Sequence, residues 1–420
     1  MKQLFYIIPV LLIVCSCNLS SSTKKPASDS LQAGSLFPDK FQQTDFRSDS
    51  LKIAAFIDSV LIHRSFNGSV LIAKNDKILF EKYSGLRDLR KKDSLTENTS
   101  LQLASTSKPF TAVAILKMIQ DHQLSLEDSL TKFFPGLPYP GITIRMLLDH
   151  RSGLPNYVYF ISESDWDKKK YVTNNDVLDQ LYILQPRRTF PPDTRFSYSN
   201  TNYVLLALII EKISGKSFPE YMKTNFFMPL QMDHTYVYTL ADSASSTPSF
   251  NYNNRLWQND FLELTYGDKN IYSTPRDLLK WSRALFSGKI INQSILDSAF
   301  APFHSSKNKV NEIMPFTRNY GLGFRLLLMP DGKKVIYHFG RWHGFNAAFA
   351  RLDDEKVTII ILGNKFDRNI YYTARQAYNI FGNYFPQQNV DEEETGGLNA
   401  KTEEPAKKDK LVKKPRHFKK

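Results

Sequence analysis

Cysteine is nearly absent from this sequence: the 420 residues contain two, Cys15 and Cys17, both close to the N-terminus. The part of the chain able to fold therefore has no disulfide, no cysteine nucleophile and no cysteine metal ligand, so oxygen and nitrogen must carry any chemistry. Zinc-finger spacing, an RNP-like stretch and a basic helix interleaved with aromatics are all missing. Nucleic-acid binding is therefore not expected, although the formal net charge of +13 would suit an anionic partner of some kind. No internal repeat recurs at solenoid or propeller periods. Nothing calls for a cofactor or a metal.

What is present is an ordinary globular composition, 42% hydrophobic, in a chain long enough for one large domain or two smaller ones. At the N-terminus Lys2 precedes an apolar run, Leu4 to Val14, too short to span a bilayer and reading as a signal peptide. The run ends in Val14-Cys15-Ser16-Cys17, which resembles a bacterial lipobox with Cys17 as the lipidated first mature residue. A simple secretory peptide with incidental cysteines is the other reading. Several acyl chains on Cys17 would anchor the protein stably, where one chain holds only marginally. The expected product is a lipoprotein of the bacterial cell envelope, tethered to a membrane with its folded domain outside the cytoplasm.

Residues 18–48 are rich in Ser, Lys, Asp, Gln and Pro, the composition of a flexible tether. Residues 386–420 form a charged tail, acidic from Asp391 to Glu394 and basic from Lys407 to Lys420. Such blocks are usually solvated, and the basic end could also touch anionic lipid or polymer. The folded domain is thus expected over 49–385. Within it, apolar spacing predicts a helix over Leu51 to Ile62, two strands around Asn75-Asp76 between Gly68 and Tyr83, and helices over Pro109 to Gln120, Tyr203 to Ile213 and Pro275 to Phe286. Strands follow at Phe324 to Met329, Lys334 to Phe339, Ala347 to Leu352 and Val357 to Leu362, then a helix over Arg368 to Phe381. Strands, helices, strands and a last helix point to an α+β fold. Its antiparallel sheet is built from both chain ends, flanked by helices, with a mostly helical region inserted between.

Three short motifs could carry chemistry. Ser105-Thr106-Ser107-Lys108 is a Ser-x-x-Lys match, as are those beginning at Ser21, Ser22 and Ser306. The first is distinguished by Pro109 and the apolar run after it, which put Ser105 near a helix N-terminus, with Lys108 three residues on along the same face. Free N–H groups there suit a developing oxyanion. Ser105 could also serve merely as an N-cap. Tyr198-Ser199-Asn200 places a phenol and an amide two residues apart. A phenol beside an ammonium is stabilised as phenolate and can accept a proton, while Asn200 can bond a substrate amide. Taken alone, Tyr198 reads more readily as a core or surface aromatic. In His338-Phe339-Gly340 the glycine would let backbone approach a ligand, and the next N–H, of Arg341, could complete an oxyanion hole.

In this order, the motifs resemble the serine β-lactamase and penicillin-binding-protein superfamily, in its class C-like branch of β-lactamases, esterases and D-amino-acid peptidases. The resemblance also rests on Phe66 to Ala73, Leu147 to Pro155, Tyr198 to Gly215 and Tyr272 to Leu278, and covers about residues 50 to 385. It implies that Ser105 attacks a carbonyl, that Lys108 and Tyr198 shuttle its proton, and that Asn200 orients Lys108 and substrate. The N–H groups of Ser105 and Arg341 would hold the oxyanion. His338 stands where the best-known members place a lysine, and would help bind the acyl portion or tune Tyr198. Phe339 replaces a hydroxyl that antibiotic-hydrolysing members use, and Arg341 and Trp342 replace smaller residues. Phe339 and Trp342 therefore predict an apolar wall beside Gly340, unless they simply pack. The expectation is a serine hydrolase acting on a small ester, amide or peptide without cofactor. A D,D-peptidase or D-amino-acid peptidase is the alternative, β-lactamase action ranks lower, and a non-catalytic binding relative is the reading from another class.

Overall fold

The structure, a computed structural model, describes residues 47–303 and 317–384. The expected signal peptide with Cys17, most of the expected tether, Ser306 and the charged tail lie outside the described residues. The first helix, α1 (Arg47–Val60), begins two residues before the expected domain boundary.

Among the described residues, seven strands make one antiparallel sheet: β1 (Gly68–Lys74), β2 (Lys77–Ser84), β3 (Thr317–Tyr320), β4 (Arg325–Leu328), β5 (Lys334–Trp342), β6 (Phe345–Leu352) and β7 (Val357–Gly363), in the spatial order β2-β1-β7-β6-β5-β4-β3. The two chain ends meet where β1 pairs with β7, Val70 opposite Ile361. The β1–β2 hairpin turns on Asn75 and Asp76 with φ of 48° and 62°, the left-handed pair that matches the twist of two short-linked strands. β3 was not foreseen, because a four-residue polar stretch has no periodic signature.

Each sheet face buries its own core. Val70, Ile72, Val335, Tyr337, Phe339, Ile359 and Ile361 pack with α1 and with α5 (Asn369–Tyr378). Leu71, Ile336, Ile360 and Leu362 face the larger core, shared with α2 (Lys108–Gln120), α3 (Asn200–Ser214) and α4 (Pro275–Phe286). This period-2 division along β5 decides which way the His338 and Phe339 side chains point, and which face Gly340 leaves open.

Two details place the site. β5 pairs with β6 from Val335 to Trp342 but with β4 only up to Tyr337, so from His338 onward its β4-side edge is left to another element. That element is the 3₁₀ turn Ala104–Ser107, whose Thr106 Oγ1 donates to the His338 carbonyl at 3.3 Å. A second, three-stranded sheet holds the turn from behind. Leu101–Gln102 pairs with Ile271–Ser273, the Leu103 N–H donates to Ile271 O at 2.8 Å, and the Ile271 N–H donates to Ser107 Oγ at 3.1 Å.

Candidate active site

Ser105 lies inside that 3₁₀ turn, which runs directly into α2; the N-cap of α2 is Ser107, not Ser105. Ala104, just before it, has φ of 47°, a left-handed backbone that a residue with a Cβ adopts only when its surroundings impose it. Gly340 presses on the same turn. A Cβ at 340 would stand 2.2 Å from Leu103 O, 2.8 Å from Ser105 N and 2.9 Å from Thr106 N, so only glycine fits.

The lysine one helical turn on is fully buried, and its Nζ reaches three acceptors: Ser105 Oγ at 3.2 Å, Asn200 Oδ1 at 2.8 Å and the main-chain oxygen of Asp268 at 2.9 Å. Burial pushes the Lys108 ammonium down to about 7; the Asp268 charge opposes the shift and the Arg325 guanidinium adds to it. The amine and ammonium forms are thus both accessible near neutrality. That is what a group exchanging a proton with a serine hydroxyl requires.

Tyr198 lies on the loop before α3, with Lys108 Nζ 4.9 Å and Arg325 Cζ 5.2 Å from its ring centroid. Both cations thus face the ring of the one phenol. The loop is held by His150, from the Leu147–Pro155 stretch. Its carbonyl accepts the Ser197 N–H at 2.9 Å, its Nδ1 accepts the Ser199 N–H at 3.3 Å, and its ring lies 4.3 Å from that of Tyr198. An Nδ1 that accepts a backbone N–H has no proton of its own, so His150 is neutral. Burial, then the charges of Lys108 and Arg325, hold its pKa well below the ordinary value. Sequence reading had assigned His150 no role, nor Arg325 or Asp268.

His338 is fully buried. Its Nδ1 donates to Phe339 O at 2.8 Å and its Nε2 accepts the Tyr320 hydroxyl at 3.1 Å. Burial first, then Arg325 and Lys108, keep it well below its ordinary pKa and hence uncharged. It cannot replace the charge of a lysine at this position; the fixed cation beside Tyr198 is Arg325, from β4.

The expected apolar wall needs correction. Phe339 is in phase with Val335 and Tyr337, so its ring points through the sheet to the α1/α5 side, 5.4 Å from the Tyr371 ring, and does not reach Ser105. The Arg341 side chain also points away, with its guanidinium 5.6 Å from the Phe366 ring, which leaves only its main chain for the site. Trp342 returns to the Ser105 side but packs against Ala104 and Tyr157, 7% exposed, its Nε1 donating to Glu263 Oε1 at 3.0 Å.

Beyond Trp342, donor atoms of Asp260, Glu263 and His343 lie within 4.8 Å of one another, a spacing that could hold a metal ion. Here Glu263 Oε1 already accepts both Trp342 Nε1 and, at 2.5 Å, His343 Nε2. Burial opposes a charge on His343, but Glu263 and Asp260 outweigh it and raise its pKa, so the group reads as an ion pair that braces the β5–β6 turn.

A family model described as Beta-lactamase matches residues 53–379. The chain is 34% identical over 325 residues to penicillin-binding protein 4* of Bacillus subtilis (strain 168), covering 74% of this chain and 70% of that protein. It is 36% identical over 330 residues to protein flp of Staphylococcus aureus (strain MW2), covering 73% of this chain and 62%, less than two thirds, of flp. The octameric penicillin-binding protein homologue from Pyrococcus abyssi superposes with a TM-score of 0.68 at 25% identity, over 79% of this chain and 77% of that one. The D-amino acid amidase from Ochrobactrum anthropi SV3 complexed with D-phenylalanine shares the fold, with a TM-score of 0.64 at 23% identity over 78% of this chain and 98% of its own.

Proposed function

Because the chain belongs to the beta-lactamase family and is a serine hydrolase of the β-lactamase/transpeptidase-like fold, we propose that it cleaves an ester or amide bond through an acyl-enzyme on Ser105. The observation that carries the reading is the 3.2 Å contact between Ser105 Oγ and Lys108 Nζ, on a buried lysine poised near neutrality. The amine takes the Oγ proton as Oγ bonds to the carbonyl carbon; as the bond from that carbon to the leaving group breaks, the Tyr198 phenol gives the leaving group its proton and takes one back from the Lys108 ammonium. Asn200 Oδ1 keeps Nζ in line. The N–H groups of Ser105 and Arg341 hold the oxyanion. The glycine contact between strand and turn supports this assignment for Ser105.

The substrate class proposed is a small ester, amide or peptide. Action on D-amino-acid peptides or amides draws support from the penicillin-binding protein relative and the amidase-like fold. β-Lactam hydrolysis ranks lower, because the penicillin-binding protein relative and the amidase-like fold favour peptides and amides; Phe339, turned to the far side of the sheet, does not bear on that choice. Export and anchoring through Cys17 are supported by Lys2, the apolar run and Ser16-Cys17.

A fluorophosphonate tests the nucleophile directly: Oγ–P forms, P–F breaks, fluoride leaves, and the Oγ proton passes to Lys108. Intact mass should show one adduct that disappears in Ser105→Ala, and its absence from the native protein removes the enzyme reading. Parallel assays with p-nitrophenyl esters, D-alanyl peptides and nitrocefin sort the substrates. Cys17→Ala should release the protein from membranes, and unchanged retention refutes the anchor.

A further inference from the structure

We propose that the Asp268 carboxylate is a positioning residue for the reaction at Ser105, acting through Lys108 to fix the pH at which the lysine yields its proton. This rests on the reading of Ser105 and Lys108 as the acylating pair.

Asp268 is 1% exposed, in the Tyr266-Gly267-Asp268-Lys269-Asn270 stretch that enters the strand Ile271–Ser273. Its main-chain oxygen accepts Lys108 Nζ at 2.9 Å, so where this residue sits decides where the ammonium sits. Its side chain is held independently. Oδ2 accepts the Tyr157 hydroxyl at 2.9 Å and faces Lys269 Nζ at 3.7 Å, while Lys269 donates to the same Tyr157 oxygen at 2.7 Å. Oδ1, also buried, has no hydrogen-bond partner among the described residues. A buried carboxylate with an unspent oxygen is costly unless a nearby charge compensates it.

The groups around Lys108 divide by sign. Arg325 repels the ammonium, Lys269 is a second buried cation, His150 and His338 are neutral, and the rings of Tyr198 and Tyr203 lie 4.9 and 5.6 Å from Nζ. Asp268 supplies the negative charge that opposes burial. Without it the lysine would be a neutral amine over a wider range, and the resting three-acceptor geometry of the ammonium would be lost sooner as pH rises. If Asp268 only neutralised Lys269, its removal would leave the titration of Lys108 where it is.

The test is the pH dependence of the fluorophosphonate labelling rate on the full chain. In Asp268→Asn the ascending limb should move to lower pH by about one unit, because an ammonium that loses an opposite charge gives up its proton more readily. Since that substitution leaves Lys269 buried without its counter-ion, the double variant Asp268→Asn/Lys269→Met is compared with Lys269→Met alone, against which its limb should also lie at lower pH. Circular dichroism and Tm identify the folded variants. A folded variant whose limb stays where it is in its reference, the native protein for Asp268→Asn and Lys269→Met for the double variant, or moves upward, overturns the proposal. A native protein that takes no label, or a label surviving Ser105→Ala, overturns the reading beneath it, and either result is evident before any Asp268 variant is made.

Discussion

Gly340 and Ser105 touch through their backbones. A Cβ on Gly340 would lie 2.8 Å from the Ser105 nitrogen, so strand β5 and the serine turn approach as closely as main chain allows. The same approach aims the β5 edge at the place where an oxyanion would form, and residue 340 thereby gauges the width of the site.

Gly340→Ala should therefore push the turn away from β5 and lower the labelling rate by about 10²-fold, the scale of losing one oxyanion donor. Stopped-flow or gel-based labelling, with Tm measured alongside, checks this. A variant that labels at the native rate would show that the strand–turn spacing does not govern acylation.

Lys108 links activity to stability. Its folded pKa, lowered to about 7, lies below that of a lysine in the unfolded chain, roughly 10.4. Between those values the unfolded chain binds more protons than the folded one, so this group's contribution to stability rises with pH across the window and is level on either side. Labelling should rise through about pH 7 as the free amine appears. Lys108→Met should abolish labelling and flatten the stability slope between about pH 7 and 10. Urea unfolding at several pH values gives the slope, and an unaltered slope in the variant would contradict the assignment.

Arg325 should act with the opposite sign to Asp268. It lowers the Lys108 pKa and sits 5.2 Å from the Tyr198 ring, so Arg325→Met should move the ascending limb of labelling to higher pH, by about one unit. Arg325→Lys should restore most of the shift. A limb that does not respond to either substitution would leave the guanidinium a packing role only.

Phe339 should matter for folding and not for chemistry. Its ring fills the core between the sheet and α5, so Phe339→Ala should cost about 3–5 kcal/mol in denaturant unfolding. The labelling rate per folded molecule should stay within a few-fold of native. A stability loss below about 1 kcal/mol, or a collapse of labelling in folded protein, would place the ring elsewhere.

Much of the fold was legible in local pattern. Pro275 to Phe286 matched to the residue because Thr274 caps it, its Oγ1 accepting the Asp277 N–H, and proline occupies the first turn. β5 ran three residues beyond its expected end. Gly340 weakens a strand locally, but pairing with β6 carries the ladder on to Trp342. The direction of Phe339 was readable too, since strand alternation puts it on the opposite face from His338. The expected wall gave weight to residue type where period should have decided. Arg325 and Asp268 left no such signal, because neither a lone charge between Phe324 and Leu326 nor an aspartate in the polar run Gly267-Asp268-Lys269-Asn270 shows in sequence that it will be buried.

The spacing of Ser105 and Lys108 was determined by the sequence itself, because residues three apart at a helix start share a face whatever surrounds them. Tertiary structure alone decided what that lysine meets: Asn200, 92 residues away, arrives on the first turn of α3, Asp268, 160 residues away, on a loop, and Arg325 on a strand. Position along the chain fixes short-range geometry. Proton affinity depends on how much water is excluded and which charges remain near, and only packing of distant segments sets those.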